Sequence, residues 1–274
     1  RAVVLTENWK PAGTGGKSSR GWGVSTGQSR VVAGLAATFR ADVGWRDAVA
    51  WTEYRDGRSF QRGETADGSY PSNFGVTTVP VERTALLVTP DNAQTALVEE
   101  LDAATESIDV IQPTVGGWDE PLMRALRRAA KRNVEVRLLL SSAWYAREDN
   151  QKTVDRFEAW ADRTDASLSA SLADPGDRYA KIHAKGAVVD GDRVIVGSLN
   201  WNEQAATVNR EVPLVLYGSA AADYFGRAFE RDCNGGASGV PPGTVSAALA
   251  ALVVAGIAAR PVPFRNEMLS GTRL

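Results

Sequence analysis

With 43% apolar and 23% charged residues over 274 positions, the chain can build one large or two modest domains with a real core, which excludes a disordered tail or a disulfide-built mini-protein. Lys and Arg number 31 against 33 Asp and Glu, so the net charge of -2 gives no general attraction for a polyanion and leaves open only a local basic site. One cysteine, Cys233, and one histidine, His183, exclude an intrachain disulfide and zinc sites of the Cys/His type.

The opening RAVVLTENW reads as the middle of a β-strand, with neither an initiator methionine nor a secretory leader, and the expectation is a piece of a longer chain. The run from Gly13 to Ser18 invites a phosphate-loop reading, but the first glycine of G-x-x-x-x-G-K-S would fall on Pro11, which rejects it. Residues 46–82 are rich in Gly, Ser, Asp and Arg and read as a connection. An α/β pattern then begins. Leu86 to Pro90 reads as a strand, Asp91 to Ser107 as a helix starting at an Asp cap, and IDVIQP as a second strand. Glu120 to Arg132 is a basic helix with Leu122, Met123, Leu126 and Ala130 on one face. Val134 to Leu140 is an apolar strand of the kind buried on both faces. A helix over Asn150 to Arg163 follows, then the strands AKGAVVD and RVIVGS joined at Asp190-Gly191, and a last helix from Ser219 to Arg231. Alternating strands and helices favour an α/β lobe with a mixed, mostly parallel sheet flanked by helices. Residues 235–243 read as a linker. The uncharged stretch 244–260 reads as a membrane-spanning helix, and the Arg-bearing tail 261–274 as its cytoplasmic flank, which places the main domain outside the cytoplasm.

Compared with itself, the chain repeats. Arg193 VIVGSLNW falls on Arg1 AVVLTENW, with Asn200 on Asn8 and Trp201 on Trp9, and farther on Arg210 falls on Arg20, Phe229 on Phe39 and Asp232 on Asp42. Residues 1–45 therefore read as the end of a first lobe, 46–82 as the link, and 83–234 as a complete second lobe.

The chemistry is concentrated in residues 179–211. His183 and Lys185, two apart, share a face on a strand, as do Ser198 and Asn200 on the next, and a hairpin brings the two pairs together. One imidazole with an ammonium, a hydroxyl and an amide is an inventory for a tetrahedral anion such as phosphate. Glu211, 28 residues past His183, is a carboxylate that can accept the second imidazole proton and fix the tautomer. Asp190 precedes a glycine in a turn and reads as structural first.

The pattern H-x-K-x4-D followed by G-S-x-N resembles the phospholipase D superfamily, over residues 83–234 and more weakly over 1–45. The resemblance implies a phosphodiesterase or phosphatidyltransferase in which two copies of the motif meet at one site. One histidine attacks phosphorus and the other protonates the leaving alcohol, with no metal or other cofactor. Carried over by position, the catalytic set is His183, Lys185, Asp190 and Glu211, and the substrate-binding set is Ser198 and Asn200 with Thr6 and Asn8 of the first copy. Lys17 and Arg20 would lie at the site mouth. A second H-x-K-x4-D must come from an upstream region or another subunit. The hydrophobic tail makes phospholipid the first substrate and the membrane a partner; a nuclease of the same superfamily, for which the charge balance is unhelpful, and a non-catalytic relative that keeps the fold are the alternatives.

Overall fold

The computed structural model describes residues 1–16, 19–63, 68 and 74–235, so the apolar stretch 244–260 and Lys17 lie outside the described residues. The opening apolar run is a strand, β1 (Ala2–Leu5). After a one-turn helix α1 (Pro11–Thr14) and a two-residue strand β2 (Ser19–Arg20), the chain returns in β3 (Gly23–Thr26), antiparallel to β1. Helix α2 (Ser29–Val43) and the short α3 (Trp51–Tyr54) follow. Next comes β4 (Arg83–Leu86), earlier than the expected strand at 86–90 because its partners are the four residues opposite, Arg83 to Leu86 against Tyr217 to Leu214.

Helix α4 (Ala93–Asp102) starts after Asn92, not at an Asp91 cap: Asn92 Oδ1 accepts the Val88 N–H at 2.8 Å, and Asp91 is taken by Arg210 at 3.2 Å. Strand β5 (Ser107–Gln112), helix α5 (Pro121–Lys131), strand β6 (Glu135–Leu140), helix α6 (Arg147–Thr164) and strand β7 (Leu168–Leu172) form two strand–helix–strand units with parallel pairing. The chain then runs through β8 (Lys181–Ile182), β9 (Gly186–Val189), β10 (Arg193–Gly197), α7 (Glu203–Thr207), β11 (Pro213–Tyr217) and α8 (Ser219–Cys233).

Seven strands make one sheet in the order β4-β11-β10-β9-β5-β6-β7. The sheet is mixed, but the expectation that it is mostly parallel is corrected: β5–β6 and β6–β7 are parallel and the other four pairings antiparallel. The reason is local. The turn from Asp190 to Asp192 is too short to carry the chain back to the end where a parallel partner would begin, so β9 and β10 pair as a hairpin. Alternation of side chains sends Leu138 and Leu140 into a core with α4, α5, α6 and α7, while Leu139, Val194 and Val196 enter a second core with α8. Val4, Trp22 and Val31 of the N-terminal region lie in that second core, and Trp22 stands 4.9 Å from Phe225, ring centre to ring centre.

The repeat reappears in register. Moving β1 by 192 residues and β3 by 190 turns the pair Ala2↔Thr26 into Val194↔Leu216 and Leu5↔Gly23 into Gly197↔Pro213. The second shift also carries α2 onto α8, end to end. At the strand ends the Trp22 N–H donates to Thr6 Oγ1 at 2.8 Å, and the Val212 N–H to Ser198 Oγ at 3.0 Å. Two ion pairs cross between the halves: Arg20 with Asp232 at 3.1 Å and Arg210 with Asp42 at 3.0 Å.

Candidate active site

The site forms where the small parallel pair β2–β8 leads into the large sheet. The Arg20 carbonyl accepts both the His183 N–H, at 2.9 Å, and the Ala184 N–H, at 2.8 Å. One acceptor serving two successive donors turns the backbone, so His183, Ala184 and Lys185 belong to neither β8 nor β9, a departure from the expected strand. The two side chains nonetheless converge, because the turn points both toward the end of β1.

His183 Nδ1 lies 3.0 Å from the Thr6 carbonyl oxygen and 3.2 Å from Glu7 Oε2. Lys185 is 4% exposed; its Nζ donates to the Thr6 carbonyl at 2.9 Å and to the His183 carbonyl at 3.0 Å. The same Nζ is 3.0 Å from His183 Nδ1 and 3.4 Å from Nε2. Burial pushes the Lys185 ammonium down to about 8, against the pull of the Glu7 and Glu211 charges. Two acceptors at Nδ1 favour the tautomer protonated there, which leaves Nε2 with its lone pair. Two of the three protons of the Lys185 ammonium go to these two carbonyls.

His183 opens onto a cleft of about 260 Å³ whose walls include Glu7, Asn8, Lys10, Tyr145 and Lys181. Three exposed aromatic rings stand by it. Trp9, 84% exposed, sits between Asn8 and Lys10, and Trp144, 90% exposed, meets Tyr145 edge to face at 5.6 Å. Among the described residues no group of three or more His, Cys, Asp or Glu is placed to hold a metal ion, and no helix is long and apolar enough to cross a membrane.

The remaining expected site residues divide. Asn8 is in the cleft wall; Ser198 and Asn200 are half-buried and outside it. The Thr6 hydroxyl is turned to the Trp22 N–H, so Thr6 meets the imidazole through its carbonyl. Asp190 accepts the N–H groups of Thr105, Glu106 and Ser107 and pairs with Arg193. Burial alone would raise its carboxyl, but these donors hold it below the usual carboxylate range. It ties the β9–β10 turn to the start of β5 and takes no part in the cleft. Glu211 does not reach His183: its neighbour is Asn209 Nδ2 at 3.4 Å. The expectation that it holds this imidazole is corrected, because the β2–β8 pairing brings the end of β1, and with it Glu7, to the ring first. Arg20 is likewise drawn away, into the ion pair with Asp232.

Glu7, Lys10, Tyr145 and Lys181 were missed by sequence reasoning. For Glu7 a signal existed: the alignment that matches Asn8 to Asn200 sets this acid against Leu199. Lys181 continues the spacing of two that joins His183 and Lys185. Tyr145 carried no signal, since it sits in the connection between β6 and α6, outside the segment that holds the motif.

A family model described as cardiolipin synthase, PLD-like domain, matches residues 97–233, half of the chain. A mitochondrial cardiolipin hydrolase from Xenopus laevis is 30% identical over 141 residues, which are 52% of this chain; the match spans 61% of that relative's length, about three-fifths. Among solved structures, NucT from Helicobacter pylori is 21% identical with a TM-score of 0.47, covering 56% of this chain and 96% of its own. Phosphatidylserine synthase from Haemophilus influenzae Rd KW20 is 13% identical with a TM-score of 0.45, covering 77% of this chain and 47% of its own.

Proposed function

Because the chain belongs to the phospholipase D superfamily, we propose that it is a phosphodiesterase or phosphatidyltransferase that works through a phosphohistidine on His183, with phospholipid as its substrate. The observation that carries this reading is the setting of that imidazole: in a cleft wall, its Nδ1 between the Thr6 carbonyl and the Glu7 carboxylate, with the Lys185 ammonium alongside. Nε2 attacks phosphorus, a P–N bond forms as the P–O bond to the leaving alcohol breaks, and that oxygen takes its proton from a second imidazole. The chain has no second histidine, so the partner motif comes from an upstream region or another subunit. Water or an acceptor alcohol then releases the phosphoryl group, which distinguishes hydrolysis from transfer. Lys185 supplies charge to the phosphate oxygens, with Asn8 of the cleft wall as a further donor. The rim supports a lipid surface as the place of action: Trp9, Trp144 and Tyr145 beside Lys10 and Lys181 combine interfacial aromatics with cations for an anionic headgroup. The stretch 244–260 would hold the domain at the membrane from its outer side.

The test is a full-length preparation offered cardiolipin-containing vesicles and, separately, single-stranded DNA over a range of salt. Phospholipid turnover with a trapped phosphorylated His183, both lost in His183→Asn, is the expected result. Undiminished turnover by that variant would overturn the mechanism. Cleavage confined to DNA, falling steeply with salt, would move the substrate to nucleic acid.

A further inference from the structure

The two halves treat the strand end differently at one position. In the second half Glu211 immediately precedes Val212, whose N–H is bound by the Ser198 hydroxyl; in the first half Gly21 precedes Trp22, bound in the same way by Thr6. Gly21 is not among the residues with a positive φ, so its backbone accepts any side chain. Space is what forbids one. A Cβ at position 21 would stand 2.4 Å from Glu7 Cγ and 2.5 Å from Glu7 Oε1. The volume that the repeat reserves for an acid at 21 is thus already filled by an acid from 7. Glu7 is largely buried, its Oε1 has no hydrogen-bond partner among the described residues, and its Oε2 is the oxygen 3.2 Å from His183 Nδ1. A buried carboxylate oxygen left without a donor is a cost that packing alone does not recover.

We propose that Glu7 is the positioning residue of His183, a carboxylate grown from the end of β1 into the place vacated at Gly21, and that position 21 is glycine to admit it. The proposal rests on the reading of His183 as the nucleophile for its kinetic consequence, but not for its geometry. Glu7 holds the proton on Nδ1, keeps the lone pair on Nε2, and offsets the positive charge of the ring once Nε2 is bonded to phosphorus. It touches no substrate atom in this scheme.

His183 is the sole histidine of the chain, so ¹⁵N-labelled histidine reports this ring alone without substrate. The wild-type neutral ring is expected to show a protonated Nδ1 and an unprotonated Nε2, and Glu7→Gln and Glu7→Ala to shift the population toward the Nε2–H form. With the second motif present, Glu7→Ala should lower kcat about a hundredfold with KM little changed. The double variant Glu7→Ala with Gly21→Glu, which returns an acid to the repeat's own position, should restore the Nδ1–H tautomer and most of kcat. A ring whose tautomer is the same in wild type, Glu7→Gln and Glu7→Ala would overturn the proposal, as would a folded double variant that restores neither quantity. A tautomer that responds as expected while His183→Asn keeps full turnover would leave the proposal standing and remove the proposed function instead.

Discussion

Folding places the Lys185 ammonium against two carbonyl oxygens and away from water, and lowers it to about 8 from an unfolded value of about 10.4. Two consequences follow with definite signs. Below about pH 8 the side chain is charged and can attract phosphate; above it the charge is lost, so kcat/KM of a preparation carrying both motifs should fall as pH rises through about 8. Lys185→Arg, charged throughout, should lose that alkaline limb of the pH–rate profile, at a lower plateau because the guanidinium does not copy the position of an ammonium. For stability the unfolded chain binds more protons than the folded one between about pH 8 and 10.4, so this group makes the protein more stable as pH rises across that interval. Below it the full burial cost is present, and above it both states are neutral and the cost is gone. Thermal unfolding in buffers spanning the interval checks this: Lys185→Met should remove the rise, and a rise of the same size in the variant would assign it to another group.

Between elements, the crossed ion pairs join the same two halves with unequal strength. Asp232 is fully buried between Arg20 and Arg178, each 3.1 Å away, while Asp42 and Arg210 are well exposed. Removing one partner of a buried pair strands the other charges, so Asp232→Ala should cost about 3–5 kcal/mol, and Asp42→Ala about 1 kcal/mol or less. Urea unfolding of the two variants measures both, and equal costs would show that burial does not set the difference. This scale also shows what the sequence could tell. The alignment of Arg20 with Arg210 and of Asp42 with Asp232 named all four residues of the pairs but could not show that they cross. The apolar run of β6 was legible because a strand buried on both faces has no polar side, and its leucines do divide between the two cores. Helix α2 was not read from its own residues; only the repeat, which sets Phe39 on Phe229 and Asp42 on Asp232, carries it onto α8. At the site His183, Lys185 and Asn8 were legible through spacing, whereas Glu7 depends on a contact between residues 176 positions apart, which no local pattern encodes.

For the molecule as a whole, the repeat invites the view that residues 83–234 are a lobe complete in itself, with residues 1–45 appended. The packing argues otherwise. Val4, Trp22 and Val31 lie in the same core as Ile111, Leu139 and Phe229, so the N-terminal residues cover one face of the large sheet. Arg1–Ala237 pack as one compact unit. Trp22 also lies against Gly186, where an added Cβ would stand 2.3 Å from the Ile195 carbonyl oxygen and 3.0 Å from the Trp22 ring, so the strand leading out of the active site is hemmed in by both. A chain restricted to residues 83–235 would expose that face, take from Asp232 and from Arg210 one of their two ionic partners each, and remove the Thr6 carbonyl that receives Lys185. It should keep its far-ultraviolet dichroism, lose near-ultraviolet signal, and bind a hydrophobic dye, the behaviour of a collapsed chain without fixed packing. Trp22→Ala in the longer chain should go part of the way, at a cost of about 3–5 kcal/mol. Cooperative unfolding of the 83–235 chain with the midpoint of the parent would show instead that the lobe stands alone and that residues 1–45 contribute only the groups they bring to His183.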